Sequence, residues 1–246
     1  LLLLKEILYH RDQLPFSEIL ENLHLFVTPM LNPDGTYFQS DESFNGATRF
    51  NVNGVDLNRN FPDPYQGDYP NGYSRQKETQ AIMDYMQIIR PNLSANYHGG
   101  SEVVNYPFDC WSSLHADDDW FYFISREYAD TARYYYLGYM NSSEFDRGVT
   151  NGYDWYQVWG GLQDYITYFL RGRDLTLEIS NIKIPAESAI ITYWNANKNA
   201  MINFIQQAMY GIHGRVIDRK TKEPLEALIE LENHDSLNAQ VFSSSA

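Results

Sequence analysis

Residues 77 to 98 contain, in order, an apolar segment at helical spacing, a proline and a short segment that resembles a strand. This order constrains the fold more than any other feature of the chain. Lys77–Ile89 predicts a helix, and Arg90-Pro91 ends it because proline disfavours helical backbone in the residue before it. Asn92–Tyr97 then reads as a strand. A helix that leads directly into a strand predicts an α/β fold. The apolar residues at helical spacing are Ile82, Met83, Met86 and Ile89.

Composition limits the classes of protein to which the chain could belong. Its 246 residues are 43% apolar, which is enough for one substantial core and a small appendage. The net charge of −14 disfavours nucleic acid as a partner, because it repels phosphate backbones. Cys110 is the single cysteine of the sequence, so an intrachain disulfide framework is excluded. Lys5 and Glu6 interrupt the first apolar run, which predicts neither a signal peptide nor a membrane span.

Further elements are predicted by composition and by the spacing of apolar residues. Strands are predicted at Leu23–Leu31, which should be buried, and at Leu175–Ile179, where apolar and polar residues alternate. The stretch 39–60 is rich in Asn and Gly and predicts loops. The additional helices are predicted at residues 1–12, Phe16–Leu23, Trp120–Leu137 and Ile190–Tyr210.

The pattern changes at Gly211 to short strands separated by polar turns. Strands are predicted at Ile212–Asp218, Leu225–Glu232 and Ala239–Ser243. We therefore expect two domains, an α/β domain over residues 1–210 and the beginning of a small all-β module over residues 211–246.

Two residues of the α/β part are candidates for metal or proton chemistry. His98 ends a predicted strand and precedes two glycines, which permit close approach of the backbone. It is either a metal ligand or a histidine that forms a hydrogen bond at a strand end. Glu178 lies on the polar face of its strand, where it is either a solvated residue or a general base. A general base would require burial.

Other candidates could recognise a carboxylate. Arg49 and Arg59 carry guanidinium groups that suit bidentate binding of a carboxylate, although loop arginines also form ordinary surface ion pairs. Asn58 places an amide beside Arg59. Tyr156 belongs to an aromatic loop and is either a packing residue or a functional one.

Taken together, the motifs resemble the zinc metallocarboxypeptidases in order and spacing, over nearly all of residues 1–209. Asn53–Pro62 and His98–Asp109 are most similar to the regulatory, carboxypeptidase N/E-like branch of that family. The resemblance implies a mixed twisted β-sheet flanked by helices, followed by a transthyretin-like β-module. The motifs that carry it are Asn32–Gly35, Arg49, Asp56–Pro62, Glu78, His98–Phe108, Tyr156, Gly160–Asp164 and Leu175–Glu178.

The resemblance also implies a role for each matching residue at the reaction centre. His98 corresponds to the third ligand of a Zn²⁺ cofactor. Glu178 corresponds to the general base that deprotonates the zinc-bound water. Arg49 would stabilise the tetrahedral oxyanion together with zinc.

Substrate recognition is implied in the same way. Asn58, Arg59 and Tyr156 would hold the terminal carboxylate of a peptide or protein. Asp109 would form an ion pair with a C-terminal Lys or Arg, and Gln163 replaces an apolar residue near the pocket floor; the alternative for Asp109 is an exposed aspartate in a turn. The branch also implies a secreted or extracytoplasmic location.

The chain departs from the family pattern in its zinc ligands. The family takes its first two ligands from a His-x-x-Glu pair, and the remaining histidines have no Glu three residues further on. We expect this pair before Leu1, within a longer protein. The sequence thus supplies one of the three protein ligands that a catalytic zinc requires. The histidines without the motif are His10, His24, His115, His213 and His234.

Three functions are compatible with these observations. The first is a zinc carboxypeptidase that releases C-terminal Lys or Arg, and it is favoured by the presence of Glu178, both arginines and Tyr156. The second is a non-catalytic peptide-binding module on the same scaffold. The third is a related zinc amidohydrolase that acts on cell-wall peptides.

Overall fold

The computed structural model describes residues 1–236 and 238–243. Short 3₁₀ turns occur at Leu57–Arg59 and Gln207–Met209, and a π-helical turn spans Tyr165–Phe169. The α-helical segments are α1 Leu2–Tyr9, α2 Phe16–Asn22, α3 Pro33–Thr36, α4 Lys77–Ile89, α5 Asp118–Tyr135, α6 Gly152–Trp155, α7 Leu162–Asp164 and α8 Glu187–Gln206.

Four strands form the main sheet in the order β1-β4-β2-β3. β1 runs parallel to β4, and β2 runs parallel to β3, whereas β2 and β4 are antiparallel. The sheet is therefore mixed, and the expected α/β fold with a mixed sheet flanked by helices is confirmed. The strands are β1 Leu93–His98, β2 Ser101–Tyr106, β3 Val149–Asn151 and β4 Arg173–Ser180.

Helices α5 and α8 cover one face of this sheet. Leu175 and Leu177 of β4 are fully buried in that core, which also contains Phe121 of α5 and Ala200 of α8. Successive side chains of a strand point to opposite faces. The residues between these leucines therefore face the other side of the sheet, where the candidate site lies.

Helix α4 spans the residues predicted for it. Arg90 ends the helix in a left-handed conformation (φ 41°), and its backbone N–H donates to the carbonyl oxygen of Met86. Ile82 of α4 packs with Phe61, Tyr165 and other residues in a second apolar cluster. Apolar spacing and the following proline were sufficient to predict this element because both are local signals.

The predicted buried strand Leu23–Leu31 is wrong. The segment has no strand structure, and most of its side chains are exposed. Leu23 and Leu25 pack against the cluster that contains Ile7, Ile19 and other residues of the first helices. An apolar run becomes a strand only where another strand offers hydrogen bonds, and among the described residues no strand pairs with this segment. The sequence pattern could not show that.

The predicted β-module is less regular than expected. β5 Leu228–Ile229 and β6 Val241–Phe242 form a small antiparallel sheet, and Ile217 forms an isolated bridge with Pro224. The module contacts the main body at Asn238, whose carbonyl oxygen lies 2.7 Å from Nε2 of His115. A likeness to transthyretin and the domain boundary at residue 210 remain predictions.

None of the helices within residues 1–236 and 238–243 has the length and apolar character needed to cross a bilayer.

Candidate active site

The face of the sheet opposite α5 and α8 carries a row of polar residues. Asp174, Thr176 and Glu178 of β4 share this face because they alternate with the buried leucines. On the neighbouring strand β1, Ser94, Asn96 and His98 are their respective register partners. The sequence candidates His98 and Glu178 therefore lie side by side on adjacent parallel strands.

Glu178 is buried, with 9% of its surface exposed. Its Oε2 atom is inaccessible and has no hydrogen-bond partner among the described residues. Burial raises the pKa of Glu178 to about 7, while the positive charges of Lys183 and Arg49 lower it. An unpaired carboxylate with a pKa near neutrality can take up and release a proton at neutral pH. The environment thus meets the burial required of a general base, and the alternative of a solvated residue is wrong.

His98 lies in a partly buried position at the end of β1. Burial lowers its pKa to about 4, and Arg49 lowers it further, whereas Asp56 acts in the opposite direction. The imidazole is therefore neutral at pH 7, which is the form that ligates a metal ion.

Asp56 organises the arginine side of the site through both of its carboxylate oxygens. Oδ2 of Asp56 lies 2.6 Å from Nη2 of Arg49. Oδ1 accepts a hydrogen bond of 3.1 Å from the backbone N–H of Asn58 and so caps the Leu57–Arg59 turn. One side chain therefore fixes Arg49 and the turn that presents Asn58 and Arg59.

The Leu57–Arg59 turn is joined to the loop that precedes α7. Oδ1 of Asn58 accepts a 2.9 Å hydrogen bond from the N–H of Leu162, and Nη1 of Arg59 donates to the carbonyl oxygen of Asn58 at 2.7 Å. Gly160 has a φ of +73°, and a Cβ atom there would lie 2.6 Å from the carbonyl oxygen of Arg59. Glycine is thus required where the two loops meet.

Asp109 is buried beside this junction, with 5% of its surface exposed. Its Oδ1 accepts hydrogen bonds from Nδ2 of Asn105 (2.9 Å) and Nε2 of Gln163 (3.1 Å). Its Oδ2 lies 3.5 Å from the point that a Cβ on Gly161 would occupy. Burial raises the pKa of Asp109, and the nearby Arg59 lowers it. The alternative of an exposed turn aspartate is wrong.

Gln163 connects Asp109 to the central strand. While its Nε2 atom donates to Asp109, its Oε1 atom accepts a 2.8 Å hydrogen bond from the N–H of Thr176. Thr176 is two residues before Glu178 on the same face of β4. The candidate base and the candidate pocket floor are therefore held by one strand.

Tyr156 has the fewest contacts with the other candidate residues. Its side chain is 47% exposed and packs edge-on against Trp155, with 4.8 Å between ring centroids. The loop that carries it wraps Asp109, because the N–H of Val158 donates to the carbonyl oxygen of Asp109 at 3.1 Å. Within the described part of the chain, the Tyr156 hydroxyl forms no hydrogen bond.

Several residues of the site were missed by sequence reasoning. Asn105 and Asp56 each bond directly to a candidate, and Lys183 lies close enough to Glu178 to lower its pKa. Asp164 accepts hydrogen bonds from the backbone N–H groups of Asp109 and Cys110. For Asn105 a sequence signal was available, because the two-residue alternation in β2 and β4 places it on the polar face of the sheet. The roles of Asp56, Lys183 and Asp164 depend on contacts between segments and had no such signal.

The donor atoms near His98 do not complete a zinc site by themselves. A catalytic zinc requires three protein ligands. Within residues 1–236 and 238–243, groups of three possible ligand atoms occur at two places, and neither contains His98. The described residues therefore fit one ligand and the general base of such a site. The two groups are Asp63 with Cys110 and Asp164, and Asp117 with His234 and Asp235.

The chain is similar in sequence to known carboxypeptidases. The chain is 38% identical over 228 residues to carboxypeptidase SOL1 of Arabidopsis thaliana, covering 90% of this chain and 44% of that protein. It is 33% identical over 237 residues to carboxypeptidase M of Mus musculus, covering 92% and 53%. The chain thus spans about half the length of these relatives.

A solved structure shows the same fold. The crystal structure of thrombin activatable fibrinolysis inhibitor matches with a TM-score of 0.68 and 16% identity, over 85% of this chain and 57% of that one. Residues 1–200 match the family model described as zinc carboxypeptidase, Peptidase M14. Since this match covers most of the chain and places His98, Asp109 and Glu178 within it, the protein belongs to the zinc carboxypeptidase family.

Proposed function

We propose that the protein hydrolyses the C-terminal peptide bond of peptides or proteins and releases a terminal Lys or Arg. The observation that carries this proposal is the position of Asp109. Its buried carboxylate has one oxygen directed towards the space beside Gly161, and Arg59 is close enough to lower its pKa. A positive group and a negative group that lie near each other match the carboxylate and the cationic side chain of a basic terminal residue.

Arg59 and Asn58 support recognition of the terminal carboxylate. A guanidinium presents paired N–H donors that match a carboxylate, and Asn58 lies beside it on the same turn. Because Oδ1 of Asn58 already accepts from Leu162, its amide nitrogen is the group left to donate. Tyr156, on the loop that wraps Asp109, would close over the carboxylate. A site for one carboxylate restricts cleavage to the last residue.

Glu178 and Arg49 support the chemical step. Glu178 has an unpaired buried oxygen and takes the proton of the attacking water. Arg49, fixed by Asp56, donates to the oxyanion that develops on the scissile carbonyl. His98 would hold Zn²⁺, which when bound supplies Lewis-acid polarisation.

Two other functions stay as alternatives. The first is a binding module that holds basic peptide termini through Asp109 and Arg59 without cleaving them, which would not require a complete zinc site. An amidohydrolase acting on cell-wall peptides would use the same base but would not require the buried Asp109. Resemblance to the regulatory branch supports a secreted or extracytoplasmic location.

One experiment distinguishes these functions. The full-length protein is incubated with zinc and with matched peptides that end in Arg, Lys, Phe or meso-diaminopimelate, and both binding and the released residue are measured. Release of Arg and Lys that a chelator abolishes supports the carboxypeptidase. Binding of basic termini without release supports the binding module. Release of diaminopimelate in preference to Arg and Lys overturns the proposal.

A further inference from the structure

Lys183 lies over the glycine pair that follows His98. The N–H of Gly100 donates to the carbonyl oxygen of Ser180, the last residue of β4, at 2.7 Å. The segment that follows passes over the pair, since a Cβ atom on Gly99 would lie 3.5 Å from the carbonyl oxygen of Ile182. A Cβ atom on Gly100 would lie 3.1 Å from Cε of Lys183, and one on Gly99 would lie 3.3 Å from the carbonyl oxygen of Lys183. The aliphatic part of the lysine therefore rests along the glycines, beside the candidate ligand.

The ammonium group of Lys183 is a cation without an ionic partner. Among the described residues no carboxylate oxygen lies within 4.0 Å of its Nζ atom. The residue is exposed, and its charge reaches Glu178 and lowers the pKa of that carboxyl. A protein of net charge −14 thus presents an exposed positive charge beside the candidate site.

Lys183 and Asp109 lie on opposite sides of Glu178 along β4. Thr176, two residues before Glu178, is bonded to Gln163 and through it to Asp109. Ser180, two residues after Glu178, is bonded to Gly100 beneath Lys183. Residues two apart in a strand are about 6.6 Å apart along its axis. The order along the strand is therefore pocket floor, base and lysine.

This order gives the direction of a bound peptide. With the terminal residue at Asp109 and the scissile bond at Glu178, the residue before the scissile bond extends towards Lys183. We propose that Lys183 selects an acidic side chain at this position, so that the preferred terminus is an acidic residue followed by a basic one. The inference rests on the proposed function and adds a second specificity position to it.

Binding measurements test this inference independently of turnover. Fluorescent peptides that end in Ala-Glu-Arg, Ala-Gln-Arg and Ala-Gln-Ala are titrated with the protein, and Kd is obtained from anisotropy. The wild type should bind the Glu-Arg peptide about two- to fivefold more tightly than the Gln-Arg peptide, the range of an exposed ion pair. Lys183→Gln should abolish this preference, and Lys183→Arg should retain it. Lys220→Gln, which removes an exposed lysine from a turn of the C-terminal segment, serves as the matched control.

Salt provides a second measurement. The preference for the Glu-Arg peptide should diminish as NaCl is raised from about 0.05 M to about 0.5 M, because exposed charges are screened over this range of ionic strength. Equal affinity for the Glu-Arg and Gln-Arg peptides in the wild type, or a preference that persists in Lys183→Gln, overturns the role of Lys183. If Gln-Arg still binds more tightly than Gln-Ala, the proposed function stands. If no peptide shows terminal selectivity, both proposals fail.

Discussion

His98 and Glu178 are register partners on the adjacent parallel strands β1 and β4. Residues 80 apart in the chain are thus placed side by side by backbone hydrogen bonds, and not by flexible loops. Arg49 and Lys183 add positive charge from segments outside the two strands. In the candidate site the two strands therefore hold His98 and Glu178 side by side, and the neighbouring segments supply the positive charges.

Substitution of Glu178 tests the general base. We expect Glu178→Gln to lower kcat about 10²- to 10⁴-fold, because the amide cannot accept the proton of water. Peptide affinity should change little, since the chain's candidate binding residues are on other segments. Steady-state kinetics and anisotropy titrations measure the two effects. Glu21→Gln on the exposed end of α2 is the control, and undiminished turnover in Glu178→Gln would falsify the assignment.

Asp109 should determine the preference for basic termini. Asp109→Asn retains a side chain of the same shape but removes the charge. We expect kcat/KM for peptides ending in Arg to fall about 10- to 100-fold relative to those ending in Phe, since a desolvated ion pair is lost. Competition between the two peptides in one reaction measures the ratio directly. An equal loss for both peptides contradicts the assignment of Asp109.

Asp56 should act through Arg49. Asp56→Asn keeps an oxygen that can cap the Leu57–Arg59 turn but loses the ion pair with Arg49. We expect kcat/KM to fall in Asp56→Asn and in Arg49→Ala, and the double variant to be no worse than Arg49→Ala alone. Thermal unfolding should remain close to wild type in Asp56→Asn. Additive losses in the double variant would show that the two residues act independently.

The buried Asp174 should make stability depend on pH. Burial raises the pKa of Asp174 from 3.8 to about 7, while Ser94 and Asn96 stabilise its charged form by hydrogen bonds. The folded state then holds a proton that the unfolded state releases, so the free energy of unfolding should fall as pH rises from about 4 to about 7. The slope for one group is at most about 1.4 kcal/mol per pH unit.

Asp174→Asn is the variant that isolates this contribution. It should reduce the decline in stability between these pH values, because the asparagine mimics the protonated carboxyl and does not titrate. Urea unfolding at a series of pH values measures the effect. Asp84→Asn, on the exposed surface of α4, is the control. An unchanged pH profile in Asp174→Asn would show that another group is responsible.

Two glycines next to Asp109 should respond differently to alanine. A Cβ atom on Gly152 would lie 1.7 Å from Oδ1 of Asp109, the oxygen already held by two hydrogen bonds. We expect Gly152→Ala to destabilise the fold by about 1–3 kcal/mol, the cost of overpacking.

Gly161→Ala is the matched comparison. A Cβ there would lie 3.5 Å from Oδ2 of Asp109, an ordinary contact. Stability should be nearly unchanged, but affinity for a terminal Arg should fall because the methyl group occupies space beside the free oxygen. Equal melting temperatures for the two variants would contradict the packing described for Asp109.

The parts of the fold that could be predicted were those encoded locally. Helix α4 was predicted with its bounds because apolar spacing and Pro91 are adjacent in sequence. The polar face of β4 was predicted from the alternation around Glu178. Leu23–Leu31 was predicted wrongly, because a strand depends on a partner that its own sequence does not specify.

In the candidate site, too, the sequence identified residues but not the contacts that they make. His98, Glu178 and Asp109 were found through motifs, but their burial was not, because it is produced by residues far away in the chain. Asp109 is enclosed by Gln163 and by the start of α6 at Gly152, both more than 40 residues further on. Asp56 lay within a recognised motif but was given no role, because its contact with Arg49 is not visible in the sequence. Lys183 was overlooked because a charged residue in a loop is not by itself a signal.

The contacts of Gln163 limit how the terminal residue that the candidate site binds could be changed by substitution. Both ends of its amide are used, one by Asp109 and the other by the backbone of Thr176. The candidate pocket floor is therefore held in place by the central strand β4. Under the proposed function, a substitution of Asp109 would change the accepted terminal residue and leave β4, which carries Glu178, in place. A substitution of Gln163 would remove contacts to both Asp109 and β4.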